Sequence, residues 1–198
     1  MSYNTNAPQG LKPVRYMDGS PYTGKTNVYN IASGYATAIG ENSPVAVLAD
    51  GTLGIGVAGA QCRGVLRGVE YFTSAGAFVQ SNYWPAATTV KTGTVVKAFV
   101  ADDPTLVFDV QETDGSSGAG TPLALADKNL NINFVVGTPN ALGISTTSIN
   151  NTTENTTSTL NLKILGLSDY PGNAVGNFAN WLVTWNTHDL KSVGTAGV

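Results

Sequence analysis

The sequence predicts an all-β protein, a small antiparallel β-barrel or sandwich with an extended N-terminal arm and a second β-rich unit. One central block predicts strands because segments rich in Val, Phe and Tyr alternate with Ser-Ala-Gly, Trp-Pro-Ala and Asp-Asp-Pro breaks. The predicted strands are Gly64–Phe72, Ala77–Gln80, Thr94–Ala101 and Leu106–Glu112. In the last strand Leu106, Phe108 and Val110 alternate with Asp109 and Gln111. One face should therefore pack and the other should be wet, as in a half-buried antiparallel meander.

The pattern of turns and composition divides the chain into three parts. Residues 1–27 form the predicted arm, and residues 28–113 form the barrel or sandwich, with about eight strand candidates. Residues 114–198 contain a Gly-rich linker and then the second β-rich unit, which we expect to pack on the first. Within it, apolar and polar residues alternate over Asn131–Val136, Leu160–Ile164 and Trp181–Trp185. No convincing helix is predicted, although Ala124–Asn129 could form a single turn.

The predicted arm differs in charge from the rest of the chain. It contains three basic residues and one acidic residue, whereas the remainder contains seven basic and twelve acidic ones. Its prolines and its lack of hydrophobic periodicity indicate an extended segment rather than a helix or a strand pair. We predict that the arm orders on an acidic partner surface, with Tyr and Arg as anchors; a frayed terminus is the alternative. The predicted contact residues are Tyr3, Lys12, Arg15, Tyr16, Tyr22 and Lys25.

The overall composition excludes some classes of function. Charged residues make up only 12 % of the chain, against roughly 25 % in ordinary soluble proteins. Such a surface has little repulsion between copies and suits an assembly, although a secreted β-domain would have a similar composition. Ten scattered basic residues argue against nucleic-acid binding. The lack of a long apolar run or a secretory signal predicts no membrane association and synthesis in the cytoplasm.

Several motifs of the chain resemble those of a known family. The central block opens with Gly-Val-x-x-Gly-Val-Glu-Tyr, contains Ser-Asn-Tyr-Trp-Pro-Ala and closes with Val-Ala-Asp-Asp-Pro-x-x-x-Phe-x-Val-Gln. Near the C-terminus, Leu-Lys-Ile-Leu-Gly-Leu leads through Pro-Gly-Asn to Trp-Leu-Val and Asn186. These motifs, in about half of the chain, resemble the β-rich head decoration proteins of tailed bacteriophages, also called cement or auxiliary capsid proteins.

The resemblance implies a structural virion protein without enzymatic activity. Such a protein decorates the outer surface of the capsid and stabilises it by bridging subunits of the major capsid protein. We expect a homo-oligomer, a dimer or a trimer, made in the host cytoplasm and located on the virion. No catalytic residue, cofactor or metal is expected, and no nucleic acid or membrane is an expected partner.

One motif suggests nucleotide binding. Residues 19–26 match the P-loop pattern Gly-x-x-x-x-Gly-Lys-Thr, and Asp50 follows an apolar segment that resembles a Walker B strand. However, the flanking residues do not favour a buried parallel strand before the loop or a helix after it. Asp50-Gly51 is also a strong hairpin signal, so we predict a tight turn there.

Other arrangements of reactive residues give weaker evidence for a catalytic or metal-binding site. Cys62 and His188 are the only cysteine and histidine, so neither a disulfide within the chain nor a His/Cys metal cluster can form. We predict that Cys62 is a small buried residue. Asp102 and Asp103 precede Pro104 and more simply form a turn than a cation site. Glycoside cleavage would require Asp109, Glu112 and Glu70 to converge, although on antiparallel strands such residues usually only solvate the outer face.

The alternative function is a phage or bacterial surface adhesin, that is, a receptor-binding β-domain. Ile31–Gly40 is similar to one turn of the Ala-Gly-rich head repeats of trimeric autotransporter adhesins. Those repeats depend on stacking of many copies, and the sequence contains one. A secreted carbohydrate-active enzyme is a third hypothesis.

Overall fold

A computed structural model of the chain describes residues 4–116, 118–191 and 194–197. Over these ranges the protein is all-β, with two sheets and no α-helix, which confirms the predicted fold class. A single 3₁₀ turn spans Leu125–Asp127. In chain order the strands are β1 (Lys12–Tyr16), β2 (Asn27–Ile31), β3 (Pro44–Val47), β4 (Leu53–Ile55), β5 (Gly64–Phe72), β6 (Phe78–Ser81), β7 (Val96–Ala101), β8 (Leu106–Thr113), β9 (Asn131–Ile132), β10 (Phe134–Val135), β11 (Ser148–Asn150), β12 (Leu162–Leu167) and β13 (Asn180–Trp185).

The first sheet contains six antiparallel strands in the order β2-β7-β5-β3-β4, with β6 also paired to β5. It curls toward a barrel. Tyr35, which follows β2, accepts a hydrogen bond from the backbone N–H of Ile55 in β4 through its hydroxyl oxygen at 2.9 Å. This bond joins the two ends of the strand order. Inside the curl lies a core that includes Val45, Leu66 and Trp84.

The second sheet has seven strands, in the order β10-β11-β8-β13-β12-β9, and β1 also pairs with β8. β8 lies in the middle, antiparallel to β13 and β1 and parallel to β11. Its core includes Phe108, Trp181 and Trp185, together with Val65 and Ala101 from the first sheet. The two sheets therefore share buried side chains.

The predicted four-strand meander is split between the sheets. β5, β6 and β7 have bounds close to the predicted ones, but β5 pairs with both β6 and β7, whereas a meander would pair β6 with β7. β8 instead crosses to the second sheet after a turn in which the Asp103 carboxylate accepts the N–H and the hydroxyl of Thr105 at 2.8 and 2.6 Å. The chain thus leaves the first sheet near residues 102–105, whereas the predicted barrel or sandwich extends to residue 113.

The face of β8 that was predicted to be wet is largely covered. Gln111 is 5 % exposed and Asp109 is only partly exposed. Gln111 accepts a hydrogen bond from the N–H of Ala7 at 2.9 Å and donates to the carbonyl of Thr5 at 2.8 Å. The N-terminal segment therefore lies over this face, which the alternation within β8 alone could not indicate.

Part of the predicted arm is a paired strand, contrary to the expectation of an unpaired extended segment. Residues 12–16 form β1 against β8. The chain then turns, and the N–H of Tyr22 donates to the carbonyl of Val14 at 3.1 Å. Pro13 lies at a register shift in β1, an irregularity that accommodates a residue lacking an N–H. A short, bulged strand has no clear alternation, so its sequence did not predict it.

Candidate functional site

The segment of residues 12–26, here called the N-terminal hairpin, contains five of the six predicted contact residues. Tyr3 lies outside the described residues. Tyr16 and Tyr22 come together with ring centroids 6.3 Å apart, and the Tyr22 hydroxyl donates to the carbonyl of Lys25 at 3.1 Å. Burial, aided by the negative charge of Asp103, raises the pKa of Tyr16. The two tyrosines therefore form a fixed pair rather than separate anchors on a free arm.

The basic side chains of the hairpin occupy different positions. Arg15 donates to the carbonyl of Tyr16 at 3.2 Å, and Lys25 is exposed. Lys12 is exposed at the other end of β1, opposite Asp109 of β8. None of the three forms an ion pair with another described residue. In contrast, three cations in or beside the first sheet, here called the barrel sheet, form the ion pairs Arg63–Asp189, Arg67–Glu41 and Lys97–Glu70, at 2.7, 2.8 and 3.0 Å.

Residues 19–26 do not have the structure of a P-loop. They connect β1 of the second sheet to β2 of the first, so the element that follows them is a strand beginning at Asn27 rather than a helix. Gly19 has a φ of +89° in a turn closed by its own N–H and the carbonyl of Tyr16. Asp50 lies in the predicted tight turn, where its carboxylate accepts the N–H and the hydroxyl of Thr52 at 2.9 and 2.7 Å. The prediction that the flanking residues do not form the strand and helix of a P-loop, and that Asp50-Gly51 forms a tight turn, is thus confirmed.

The carboxylates considered for glycoside cleavage do not converge. Glu70 lies on β5 and forms an ion pair with Lys97. Asp109 and Glu112 are three residues apart on β8, in the other sheet, so their side chains point to opposite faces. Among the residues that the structure describes, no group of three or more His, Cys, Asp or Glu side chains is arranged to hold a metal ion.

A network of charged side chains, not predicted from the sequence, joins the two sheets. Asp102, only 8 % exposed, accepts hydrogen bonds from Asn27 at 2.9 and 3.0 Å and from the hydroxyl of Tyr29 at 2.5 Å. Arg63 donates to the Tyr29 hydroxyl at 3.1 Å and to the carboxylate of Asp189 at 2.7 Å. We call these five residues the junction network. Asp102 thus has a role separate from that of its neighbour in the predicted turn.

The single histidine and cysteine lie beside this network and are buried. His188 is fully buried, and its Nδ1 accepts the N–H of Leu190 at 3.1 Å. Burial lowers the pKa of His188 and raises the pKa of Cys62 to about 12. Cys62 is therefore the small buried residue that the sequence predicts, and neither side chain presents a reactive group to solvent.

A cleft of about 550 Å³, here called the β8 cleft, lies over the second sheet. One wall is the segment of residues 4–9 and the other is the loop of residues 170–172. The floor carries polar side chains of β1, β8 and β13, and aromatic rings stand at the sides. The side chains used in the argument below are Lys12, Asp109, Gln111, Tyr170, Phe178 and Asn180.

Asp109 is the acidic side chain at the floor of this cleft. Its pKa is raised by burial, and the hydrogen bonds from Ser168 and Asn180 and the charge of Lys12 oppose that rise. The amide of Asn180 donates to it at 3.3 Å. The sequence placed Asp109 on a fully wet face, whereas the structure encloses it between the N-terminal segment and the loop.

Comparisons with protein-family models, with curated proteins and with solved structures found no match to the chain. None of the helical structure in the described ranges is long and apolar enough to span a membrane. A functional assignment therefore depends on the motifs and on the surfaces described above.

Proposed function

We propose that the chain is a structural virion protein that decorates and stabilises the outer surface of a tailed-phage capsid by bridging major capsid subunits. The observation that carries the proposal is the resemblance of residues 63–112 and 162–186 to head decoration proteins. In the structure these residues form β5, β6, β7, β8, β12 and β13. The resemblance therefore covers the strands that supply most of both cores, which are the parts that define a folding framework.

The N-terminal hairpin is the surface that we assign to the capsid. Arg15 and Lys25 make no ion pair within the described residues, so they remain able to pair with carboxylates of another protein. The remainder of the chain has an excess of acidic residues, which concentrates positive charge on this one element. Electrostatic complementarity of this kind speeds association and fixes the register of an interface.

The hairpin has a further advantage over a disordered arm. Because β1 is already paired with β8, little conformational entropy is lost when the hairpin binds. A molecule that contacts two neighbouring capsid subunits raises the barrier to their separation. In the expected dimer or trimer, linked weak contacts can increase the overall affinity by about 10²–10⁴.

The test is co-sedimentation of the purified full-length chain with heads of a tailed phage whose genome encodes it. We expect the wild-type chain to saturate the heads. The double variant Arg15→Glu/Lys25→Glu should bind at least about tenfold more weakly, because like charges at an interface cost several kcal/mol. The double variant Lys91→Glu/Lys128→Glu is the matched control, since both lysines are exposed and lie outside the hairpin and the net charge changes equally, and it should bind as the wild type does.

These point variants are preferable to deletion of the first 27 residues. Deletion would remove β1 from the second sheet and would also remove Leu11, which is fully buried in its core. A failure of the deleted chain to bind heads could then reflect unfolding. The proposal is wrong if the wild-type chain does not bind the heads, and the hairpin assignment is wrong if the charge reversals leave binding unchanged.

A further inference from the structure

We infer that the β8 cleft is a binding site for a neutral saccharide, a function separate from capsid binding. The cleft volume of about 550 Å³ lies within the range of roughly 300–1,000 Å³ that is typical of small-molecule sites. It offers hydrogen-bonding groups on its floor and aromatic rings at its sides. A sugar ring has the matching chemistry, because it carries hydroxyl groups around its edge and apolar C–H groups on its faces.

The floor of the cleft sets the charge of the ligand. Lys12 lies directly opposite Asp109 in the β1–β8 pairing, and its positive charge acts on the Asp109 carboxyl group without a direct ion pair. The floor thus carries one basic and one acidic side chain, and this balance does not favour a phosphate or another anion. A carboxylate accepts hydrogen bonds from hydroxyl groups and an ammonium group donates to hydroxyl oxygens. A neutral hydroxylated ligand can use both.

The aromatic sides of the cleft are held in place by the surrounding loop. Tyr170 is 44 % exposed and starts a turn in which its carbonyl accepts the N–H of Asn173 at 3.2 Å. The side chain of Asn173 in turn donates to the carbonyls of Ser168 and Asn180 at 2.7 and 2.9 Å. These bonds fix the loop between the end of β12 and the start of β13. The Tyr170 ring is thus presented to solvent on a rigid support, as a stacking surface requires.

Phe178 has an unusual backbone conformation beside the same cleft. Its φ is +60°, in the left-handed region that bulky side chains rarely occupy. The carbonyl of Phe178 accepts a hydrogen bond from the Gln111 amide at 3.1 Å, and that same amide also holds Thr5 in the opposite wall. Strained residues of this kind concentrate at ligand-binding sites, where the surrounding structure maintains them.

The proposal is tested by NMR titration of the full-length ¹⁵N-labelled chain with maltotriose, cellotriose and triacetylchitotriose. We expect at least one of them to shift the amides of Asp109, Phe178 and Asn180, with a Kd of about 1 mM or below. Tyr170→Ala should weaken binding by between about threefold and tenfold, the loss expected for one aromatic contact. Phe78→Ala is the control, because Phe78 is 56 % exposed but lies on the barrel sheet.

Four results would overturn the inference. They are no amide shift with any of the three sugars up to about 10 mM, shifts confined to residues away from the cleft, equal binding by Tyr170→Ala, and binding of glucuronate oligosaccharides alone. Co-sedimentation of Tyr170→Ala with phage heads should equal that of the wild type. Failure of the saccharide site can therefore be distinguished from failure of the capsid proposal.

Discussion

At the scale of single residues, Asp and Asn side chains close turns throughout the chain. In each case the side-chain oxygen accepts both the N–H and the hydroxyl of a Ser or Thr two residues later. The residues that do this are Asp18, Asp50, Asp103, Asp114, Asn150 and Asn155. In Asp50 the bonds from Thr52 lower the pKa of the carboxyl group. Much of the polar, weakly charged composition thus follows from turn formation.

Glu112 is the residue at which charge and burial conflict most. It is fully buried on β8, where its Oε2 accepts the N–H of Leu123 at 2.8 Å. Burial raises its pKa above the ordinary value of 4.5. Between the unfolded and the folded pKa the folded state binds more protons than the unfolded state does. Stability is therefore lost as the pH rises through that window, and the loss persists at neutral pH.

We predict that Glu112→Gln stabilises the protein at pH 7. The amide keeps an oxygen for the N–H of Leu123 and removes a buried charge, so the free energy of unfolding should rise by about 1–2 kcal/mol. Urea unfolding at pH 7 and at pH 4 measures the effect, which should shrink at pH 4, where the wild-type carboxyl gains its proton. Glu70→Gln, on the surface of β5, should show no such gain. A destabilised Glu112→Gln at pH 7 would contradict the interpretation.

At the scale of elements, the sequence predicted strands better than it predicted their partners. The bounds of β5, β6, β7 and β8 follow from residue alternation and from the turns between them, and these are local properties. The partner of β8 is instead β13, which lies about seventy residues further along the chain. A pattern within β8 alone does not indicate so distant a partner. β9, β10 and β11 have two or three residues each, too few for a period to emerge.

The candidate surfaces also show that local sequence patterns do not predict contacts between distant segments. Charge and aromatic content marked the N-terminal hairpin, because these are properties of composition. The β8 cleft was missed since it forms where the segment of residues 4–9, the loop near Tyr170 and the strand β8 meet. The polar alternation of Asp109 and Gln111 was the only local signal. It indicated a wet face, and the covering segment converts part of that face into an enclosed floor.

A pair of glycines allows close strand packing to be tested separately from backbone strain. Gly64 in β5 and Gly166 in β12 have similar φ angles, +159° and +155°. A Cβ on Gly64 would lie 2.3 Å from the carbonyl oxygen of Ala101 and 2.8 Å from the Cα of Asp102. A Cβ on Gly166 would meet no atom within 4 Å. The two sites therefore differ chiefly in the space available.

We predict that Gly64→Ala destabilises the protein by about 1–3 kcal/mol more than Gly166→Ala does, because overpacked positions force the backbone to move. Thermal and urea unfolding of the two variants and the wild type give the comparison. The clash falls on the β5–β7 contact beside the junction network, so the amides around Ala101 should also lose protection from exchange. Equal destabilisation by the two substitutions would show that backbone conformation, and not packing, requires glycine at residue 64.

At the scale of the whole molecule, the two sheets are joined in two ways. Val65 and Ala101 belong to the barrel sheet but lie in the core of the second sheet with Phe108. The junction network adds hydrogen bonds between β2, the start of β5, the end of β7 and Asp189 after β13. Removal of either sheet would expose fully buried apolar side chains of the other and would break the Arg63–Asp189 pair, the contact of the network that crosses between the sheets.

This sharing predicts that the chain unfolds as one cooperative unit, although it contains two sheets and two cores. Native-state hydrogen exchange measures the free energy of opening for individual amides. The slowest amides of β5 and β7 should give the same free energy, and the same dependence on denaturant, as those of β12 and β13.

The variant Val65→Ala should lower the free energy of opening equally in both sets of amides, by about 1–2 kcal/mol, because the methyl groups it removes belong to the shared core. Phe78→Ala, at an exposed position of the barrel sheet, should lower neither set appreciably. If the second sheet instead kept its protection while the barrel opened, the buried contacts of Val65 and the Arg63–Asp189 pair would contribute little to the link between the sheets.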